Sequence, residues 1–348
     1  MIRTATGNLL LSDADALVNT VNCVGVMGKG IALQFKDAWP GMYKDYRRAA
    51  KAEQVVPGRM HVYETGKLIG PRYIVNFPTK RHWRARSRLA DIDAGLLDLV
   101  RQIERLGIKS IAVPPLGVGN GGLDWSVVRP RIVAALEPLS DVDVRLYEPG
   151  PPPSAAERPV GTKRPKMTSA RAVVLAAMGR YGILDYELTQ LEVQKLAYFL
   201  QLAGEPLDLR YERYHYGPYA DRLYHLLRHM EGHQVVGVMD RSPRATIRLQ
   251  PGALEEAERF LADRPDTKAR FERVARLIEG FETPFGMELL ASVHKVASDD
   301  PSTGADSETC TRAVRTWSRR KANLMRPHHV AVALDRLVSQ GWLAESTV

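Results

Sequence analysis

The sequence predicts an α/β domain followed by a mostly α-helical domain. Before residue 148, short apolar runs alternate with amphipathic helical patterns, which is typical of a sheet with helices on its faces. After residue 166 the patterns are long and helical, and a run rich in Pro and Gly separates the two parts. The length of 348 residues also fits two domains, since one domain usually contains roughly 100 to 200 residues.

The elements of the first part follow one another in a strand and helix order. Apolar runs predict strands at Ala16–Val21, Tyr73–Phe77 and Ser110–Val113. Apolar residues at helical spacing predict helices at Ile31–Ala50 and Leu89–Leu106. We therefore expect a sheet whose faces are covered by these helices.

The run EPGPPPSAAERPVGTKRPK, residues 148–166, marks the boundary between the domains. Its prolines lack the backbone N–H that a helix interior or a central strand requires. We expect residues 1–150 to form the first domain, residues 151–166 a semi-extended linker, and residues 167–348 the second domain.

Long helical patterns fill the second domain. The clearest are Leu191–Ala203, Tyr219–Glu231, Ala253–Asp263 and Thr267–Phe281. The last segment, Arg326–Leu343, is a helical pattern that ends at Gly341 and resembles the helix and wing of a winged helix. Such a segment either binds DNA or packs within the domain.

The composition is that of a globular protein with an anionic partner. The formal net charge is +9 and the pI about 9.5, and a positive field concentrates nucleic acids around a protein. Cys23 and Cys310 are too far apart in sequence for a disulfide framework or a metal-ligand cluster. The sequence contains neither an export leader nor an apolar run approaching the roughly 20 residues of a membrane helix. We expect a cytoplasmic protein with no metal and no membrane partner.

Two glycine-rich loops each follow an apolar strand and precede a helix. The first lies within residues 19–36 (NTVNCVGVMGKGIALQFK) and the second within residues 113–125 (VPPLGVGNGGLDW). Glycines let backbone N–H groups ring an anion, and a helix N-terminus adds a positive dipole. One such loop is also compatible with a tight structural connection, but two at strand ends can clasp a diphosphate. Leu33 stands where the dinucleotide fingerprint requires glycine, so a nicotinamide-dependent dehydrogenase is not favoured.

Four segments resemble the macrodomain of the DarG antitoxins, which is close to the terminal ADP-ribose glycohydrolases. They are residues 4–10 (TATGNLL), 18–36 (VNTVNCVGVMGKGIALQFK), 76–84 (NFPTKRHWR) and 114–125 (PPLGVGNGGLDW). The resemblance implies an α/β macrodomain, in which helices sandwich a mixed sheet, and binding of ADP-ribose without a cofactor.

The resemblance also implies the roles of individual residues. Asn8 and Leu9 are expected at the adenosine end and Asn22 at the distal ribose, with Thr79 beside the reacting group. Many macrodomains have Asp at the position of Asn8, so the adenine contact here is made by a neutral amide. The residues expected to bind the diphosphate are Gly28, Lys29, Gly30, Ile31, Leu116, Gly117, Val118, Gly119, Asn120, Gly121 and Gly122.

Lys80 is the expected catalytic residue, because the matching lysine of this family attacks the anomeric carbon of the distal ribose. An amine must be neutral to attack, whereas an isolated lysine has a pKa of about 10.4. The nearby Arg81, Arg84, Arg86 and Arg88 would lower the pKa by like-charge repulsion if they converged on Lys80. The alternative is that Lys80 and these arginines only bind phosphates.

A carboxylate near the anomeric carbon would stabilise the oxocarbenium-like transition state of glycosidic cleavage. Asp124, at the end of the second glycine loop, is the candidate, and an N-cap of the following helix is the alternative. His82, Trp83 and Arg84 combine residue types that stack on bases and bind phosphates, so we expect them to contact DNA. A solvated basic loop with Trp83 packed inward would give the same pattern.

The second domain resembles the Panacea-type modules of toxin-neutralising proteins in residues 191–200 (LEVQKLAYFL) and 214–219 (YHYGPY). We predict an antitoxin that removes ADP-ribose from thymidine bases in single-stranded DNA and binds a cognate DarT-type ADP-ribosyltransferase toxin through this domain. Two alternatives remain open: a macrodomain that binds ADP-ribose without hydrolysis, and an enzyme acting on ADP-ribosylated acidic side chains of proteins.

Overall fold

In the computed structural model the chain divides into two compact units, Met1–Lys163 and Arg164–Val348. The structure describes residues 1–67, 69–154, 157–182, 188–239, 245–304 and 306–343. No helix within these ranges has the length and apolar character needed to span a membrane.

The first unit is built on a six-stranded sheet. Its elements are β1 (Ile2–Ala5), β2 (Ala16–Asn22), α1 (Gly30–Ala38), α2 (Pro40–Lys51), β3 (His61–Glu64), β4 (Tyr73–Lys80), α3 (Leu89–Leu106), β5 (Ser110–Val113), α4 (Trp125–Leu136) and β6 (Asp143–Tyr147). The strand order is β1-β6-β5-β2-β4-β3, and all neighbours are parallel except β3, which runs antiparallel to β4. The predicted mixed sheet is therefore confirmed.

Each face of the sheet carries its own core because side chains alternate along a strand. Val18 and Val75 point to the face that is covered by α3 and α4. Leu17 and Ile74, one residue earlier in each strand, point to the face covered by α1 and α2. The helices thus sandwich the sheet, as the sequence predicted.

One predicted element is wrong in its continuity. The helical pattern at Ile31–Ala50 forms two helices, α1 and α2, with Trp39 between them. Pro40 causes the break, because it has no N–H for the helical hydrogen bond and its ring clashes with the preceding turn. Pro40 is instead tolerated as the first residue of α2, where no such bond is needed.

The chain after β6 returns to the surface of the first unit. Glu157 accepts a hydrogen bond at its carbonyl oxygen from the Asn8 side chain, over 2.7 Å. Farther along, the N–H of Gly161 donates to the carbonyl of Asp37 at the end of α1, over 2.9 Å. These contacts belong to the proline-rich segment of the sequence.

The second unit is mostly helical, as predicted. Its elements are α5 (Ser169–Gly182), α6 (Gln190–Leu202), β7 (Glu212–Tyr214), β8 (Gly217–Tyr219), α7 (Asp221–Met230), β9 (Val235–Val236), β10 (Arg248–Leu249), α8 (Ala253–Leu261), α9 (Pro265–Ile278), α10 (Pro284–Asp299), α11 (Ser307–Trp317), α12 (Arg319–Leu324) and α13 (Pro327–Ser339). Helix α10 is central and packs against α6, α11 and α13.

The last predicted segment forms a helix, α13, which ends shortly before Gly341, a residue with a φ of 66°. Through Leu343, the described chain contains no strand after α13. The remainder of the predicted wing, residues 344–348, lies outside the described residues. Val330, Ala333 and Leu337 on α13 are buried in the core of the unit, so packing is one role of this helix.

Candidate active site

The candidate site lies at one edge of the sheet, where the parallel strands β1, β6, β5, β2 and β4 all end. Ligands of open α/β sheets bind at the carboxyl ends of the strands. The loop after β1 carries Asn8, the glycine loops follow β2 and β5, and Lys80 ends β4. From β1 to β4 there are four inter-strand steps, or about 19 Å at roughly 4.8 Å each. Asn8 and Lys80 therefore mark opposite ends of an extended cleft.

Asn22 shapes the first glycine loop. Its Oδ1 accepts hydrogen bonds from the N–H groups of Val24 and Val26, at 3.0 and 3.3 Å, and its Nδ2 donates to the Val26 carbonyl. The hydroxyl of Tyr46 donates to the Asn22 carbonyl over 2.5 Å. Asn22 lies beside Lys80 in the strand register, but its amide is occupied by the loop.

The first loop delivers an uncapped helix N-terminus to the cleft. Lys29 is the N-cap of α1 and makes no side-chain capping bond, so the first N–H groups of α1 are not satisfied by that side chain. Such groups, with the helix dipole, favour an anion. Gly28 leaves this approach open, because only Val26 Cγ1 lies within 4 Å of the position of a Cβ.

The second glycine loop is partly packed and partly open. Gly117 and Gly122 have φ values of 70° and 74°, which favour glycine. A Cβ on Gly121 would lie 2.1 Å from the Gly117 carbonyl oxygen, so this position tolerates no side chain. A Cβ on Gly119 would meet nothing within 4 Å, which leaves the backbone there accessible from the cleft.

Asn120 joins the two loops to Lys80. The Lys80 ammonium donates a hydrogen bond to the Asn120 carbonyl oxygen. A Cβ on Gly30 would lie 3.0 Å from Nδ2 of Asn120, so the first loop is in contact with the second. The structure thus brings the two glycine loops and Lys80 together at one place.

An irregularity in β4 places Lys80 next to β2. Val21 pairs with Pro78 and Asn22 with Lys80, so Thr79 is an extra residue in β4. Pro78 cannot donate to the ladder, and proline in sheets is confined to edges and bulges. Bulges re-aim side chains and are frequent beside active sites. Here the bulge sets the position of Lys80 at the end of the strand.

Burial lowers the pKa of Lys80 below its usual 10.5. The expected convergence of arginines on the amine is wrong as the cause. Arg81 instead pairs with Asp91, at 2.9 Å, and Arg84 lies over the ring of Trp83 at 4.5 Å. A partly desolvated lysine is easier to deprotonate, which is what a lysine nucleophile requires.

Comparison with known proteins agrees with this geometry. A family model described as the Macro domain matches residues 18–132. A DNA ADP-ribosyl glycohydrolase of Thermus aquaticus is 48% identical over 344 residues, which are 99% of this chain and 94% of the relative. The chain belongs to the DNA ADP-ribosyl glycohydrolase family.

Two further members of the DNA ADP-ribosyl glycohydrolase family match the first unit alone. The solved macrodomain of Mycobacterium tuberculosis DarG is 60% identical, covering 43% of this chain and 99% of that one, with a TM-score of 0.43. A Thermosipho africanus protein named as a fusion of DNA ADP-ribosyl transferase and DNA ADP-ribosyl glycohydrolase is 35% identical over 158 residues, 41% of this chain and 40% of the relative.

Asp124 caps a helix in this member of the DNA ADP-ribosyl glycohydrolase family. Its Oδ1 accepts hydrogen bonds from the N–H and the hydroxyl of Ser126, at 2.9 and 2.8 Å, which makes it the N-cap of α4. These bonds lower the pKa of the exposed Asp124 carboxyl. The capping alternative is therefore seen, at the end of the second glycine loop.

The basic loop after Lys80 lies at the surface. Trp83 is 44% exposed, so the alternative in which it packs inward is wrong. His82 and Arg84 flank its ring, with 5.5 Å between the His82 and Trp83 centroids. Ser87 ties this loop to the site, because its N–H donates to the Gly121 carbonyl over 3.0 Å. No sequence pattern marks Ser87 for this role.

Several residues expected to bind substrate have side chains in the interior. Leu9, Leu116 and Thr79 are buried, so only their backbone atoms are available to a ligand. Ile31 and Val118 are half-buried at the loop ends. Within the described residues, no group of three His, Cys, Asp or Glu side chains is arranged to hold a metal ion.

Proposed function

We propose that the first unit removes ADP-ribose from DNA by hydrolysing the glycosidic bond between the distal ribose and a thymidine base. The observation that carries the proposal is the contact of Lys80, whose pKa is lowered by burial, with the second of two adjoining glycine loops. This arrangement offers a nucleophile beside an anion-binding cleft. Family membership supports the same reaction.

The strand order supports one orientation of ADP-ribose in the cleft. Asn8 and Leu9 then lie at the adenosine end, beside β1, and Lys80 and Asn22 lie at the distal ribose. Between them, Gly28 to Ile31 and Leu116 to Gly122 bind the diphosphate through backbone N–H groups. In this orientation the amine is directed at the anomeric carbon.

The proposed reaction has two steps. The neutral Nζ of Lys80 attacks the anomeric carbon, and the glycosidic bond breaks with its electron pair passing to the base, which takes up a proton. Water then replaces the lysine at the anomeric carbon, which releases ADP-ribose and restores the amine. A carboxylate at Asp124 stabilises the positive charge that develops on the ribose.

The basic loop supports a single-stranded DNA substrate. Trp83 presents an exposed ring, and Arg84 and His82 flank it. Stacking of bases on aromatic rings next to cations is the usual mode of binding to single strands. A chromosomal DNA substrate also places the enzyme in the cytoplasm.

The test uses the full-length chain with two substrates side by side, ADP-ribosylated single-stranded DNA and protein ADP-ribosylated on acidic side chains. We expect release of free ADP-ribose from the DNA, and none from a Lys80→Ala variant that still binds ADP-ribose. Release only from the protein would favour the acidic-residue linkage. Binding of ADP-ribose without any release would leave the macrodomain as a reader.

We also propose that the second unit binds the DarT-type toxin. An exposed aromatic hairpin, Glu212–Tyr219, supports this assignment: Tyr214 and Tyr216 are 55% and 50% exposed. The indole of Trp317 donates to the Tyr214 carbonyl over 3.0 Å, and Arg320 lies over the Tyr216 ring at 4.6 Å. Tyrosine and arginine dominate protein interfaces, and a surface held rigid before binding loses less entropy.

Two buried side chains fix this hairpin from below. Lys195 donates to the Pro218 carbonyl over 2.7 Å, and the Gln194 amide exchanges two hydrogen bonds with the backbone of Ala220. Co-purification of the full-length chain with a catalytically inactive toxin tests the assignment. Replacing Tyr214 and Tyr216 together with Ala should abolish the complex, whereas Val332→Ala, at another exposed apolar position, should retain it. A complex that survives the double replacement would place the toxin elsewhere.

A further inference from the structure

Both ends of the Asn8 amide are held by hydrogen bonds. Its Oδ1 accepts from the N–H of Leu10 over 3.0 Å, and its Nδ2 donates to the Glu157 carbonyl over 2.7 Å. Reversing the amide would set a donor against the Leu10 N–H and an acceptor against the Glu157 carbonyl. The structure therefore favours one of the two amide orientations.

The segment that supplies the Glu157 carbonyl is itself fixed on the first unit. The carboxylate of Glu157 accepts hydrogen bonds from the N–H and the hydroxyl of Ser154, at 3.0 and 2.9 Å. Beyond it, Gly161 donates to the Asp37 carbonyl over 2.9 Å. A Cβ on Gly161 would lie 2.1 Å from the Ala38 carbonyl oxygen, so the backbones meet closely there. The segment is held on either side of Asn8.

The orientation of the amide decides which ligand group can lie beside it. A carbonyl oxygen has two lone pairs, so Oδ1 can accept a second hydrogen bond beside that from Leu10. An aspartate at this position would present acceptors in any orientation. An asparagine presents either an acceptor or a donor, and a neighbouring group must select between them.

We propose that residues 157–161 form the outer wall of the nucleoside end of the cleft. In this arrangement the Glu157 carbonyl orients Asn8 so that Oδ1 accepts from the 6-amino group of a purine. The segment is thereby a specificity element, which favours a 6-aminopurine over a 6-oxopurine. The inference rests on the proposed function in one respect, the placement of the adenosine at the Asn8 end.

Titration calorimetry of the full-length chain with ADP-ribose and with its hypoxanthine analogue tests this role. We expect the wild-type chain to bind ADP-ribose about tenfold more tightly, which is the worth of one hydrogen bond. Gly161→Val forces the segment off Ala38, and the ratio should fall to about threefold or less. Gly150→Val is the matched control, since a Cβ there meets nothing within 4 Å, and it should keep the wild-type ratio.

Asn8→Asp gives a second test that does not depend on moving the segment. A carboxylate accepts with either oxygen and repels a 6-oxo group, so the ratio should rise, and Gly161→Val should no longer change it. An unchanged or lower ratio in Asn8→Asp would contradict the contact. An unchanged ratio in a folded Gly161→Val protein would contradict the role of the segment. Absence of binding of either nucleotide to the wild-type chain would instead contradict the proposed function.

Discussion

Replacing Gly28 or Gly119 with valine separates the two meanings that a glycine-rich loop can have. Both residues lie in the loops proposed to bind the diphosphate, yet neither is needed for packing. Only Val26 Cγ1, at 3.8 Å, lies near a Cβ on Gly28, and nothing lies within 4 Å of one on Gly119. Neither residue has a positive φ. The structure thus predicts that both variants fold.

The expected magnitudes differ for stability and for binding. Substitutions at open surface positions usually change the free energy of unfolding by no more than about 0.5 kcal/mol. A valine side chain that blocks one backbone N–H from a phosphate removes a hydrogen bond to a charged group, worth about 1.5 to 3 kcal/mol. ADP-ribose should therefore bind about tenfold to 150-fold more weakly to each variant.

Calorimetry with ADP-ribose and thermal unfolding of the same samples make the measurement. Gly121→Ala is the matched control, because its Cβ would lie 2.1 Å from the Gly117 carbonyl oxygen and 2.3 Å from Ser87 Oγ. Overpacking of that kind costs about 1 to 3 kcal/mol, so this variant should lose stability. Wild-type affinity in both valine variants would refute the assignment of the loops to the diphosphate.

Three further predictions concern the chemistry. Lys80→Ala should reduce turnover at least about a thousandfold and leave ADP-ribose affinity within about tenfold, as single-turnover assays and calorimetry can check. Because burial lowers the pKa of Lys80, the neutral fraction and the turnover should rise about tenfold per pH unit and level off below pH 10.5, and a profile that is flat from pH 6 to 9 would contradict a lysine nucleophile. Asp124→Asn keeps an N-cap for α4, so a loss of turnover of at least about tenfold at an unchanged melting temperature would reveal the carboxylate in the reaction, and unchanged turnover would leave Asp124 a cap only.

The sequence predicted those parts of the fold that depend on local patterns. Helix Leu89–Leu106 and strand Ser110–Val113 have the predicted bounds, because each is a single periodic run. The pattern at Ile31–Ala50 kept its helical period across Pro40, so the apolar spacing alone did not reveal the break. The glycine loops were found from composition, since several glycines between a strand and a helix indicate a tight turn or a close approach to the backbone.

The parts of the site that the sequence did not predict depend on contacts between distant segments. Ser87 reaches Gly121, and Tyr46 reaches Asn22, through the arrangement of the sheet. Nothing in the local sequence of either residue indicates its partner. The amide of Asn22 was expected to face the ribose, and the structure uses it to hold the loop.

The extra residue in β4 makes the length of that strand as important as the identity of its last side chain. Deleting Thr79 would restore regular pairing with β2 and draw Lys80 back along the strand by about 3.3 Å, the rise of one residue. The amine would then turn away from Asn120, since a shift of one residue reverses the face of a side chain. Insertions and deletions in the surrounding loops spare this geometry. An enzyme of this design can therefore tolerate changes of loop length around the cleft, while a one-residue deletion in β4 inactivates it with its lysine still present.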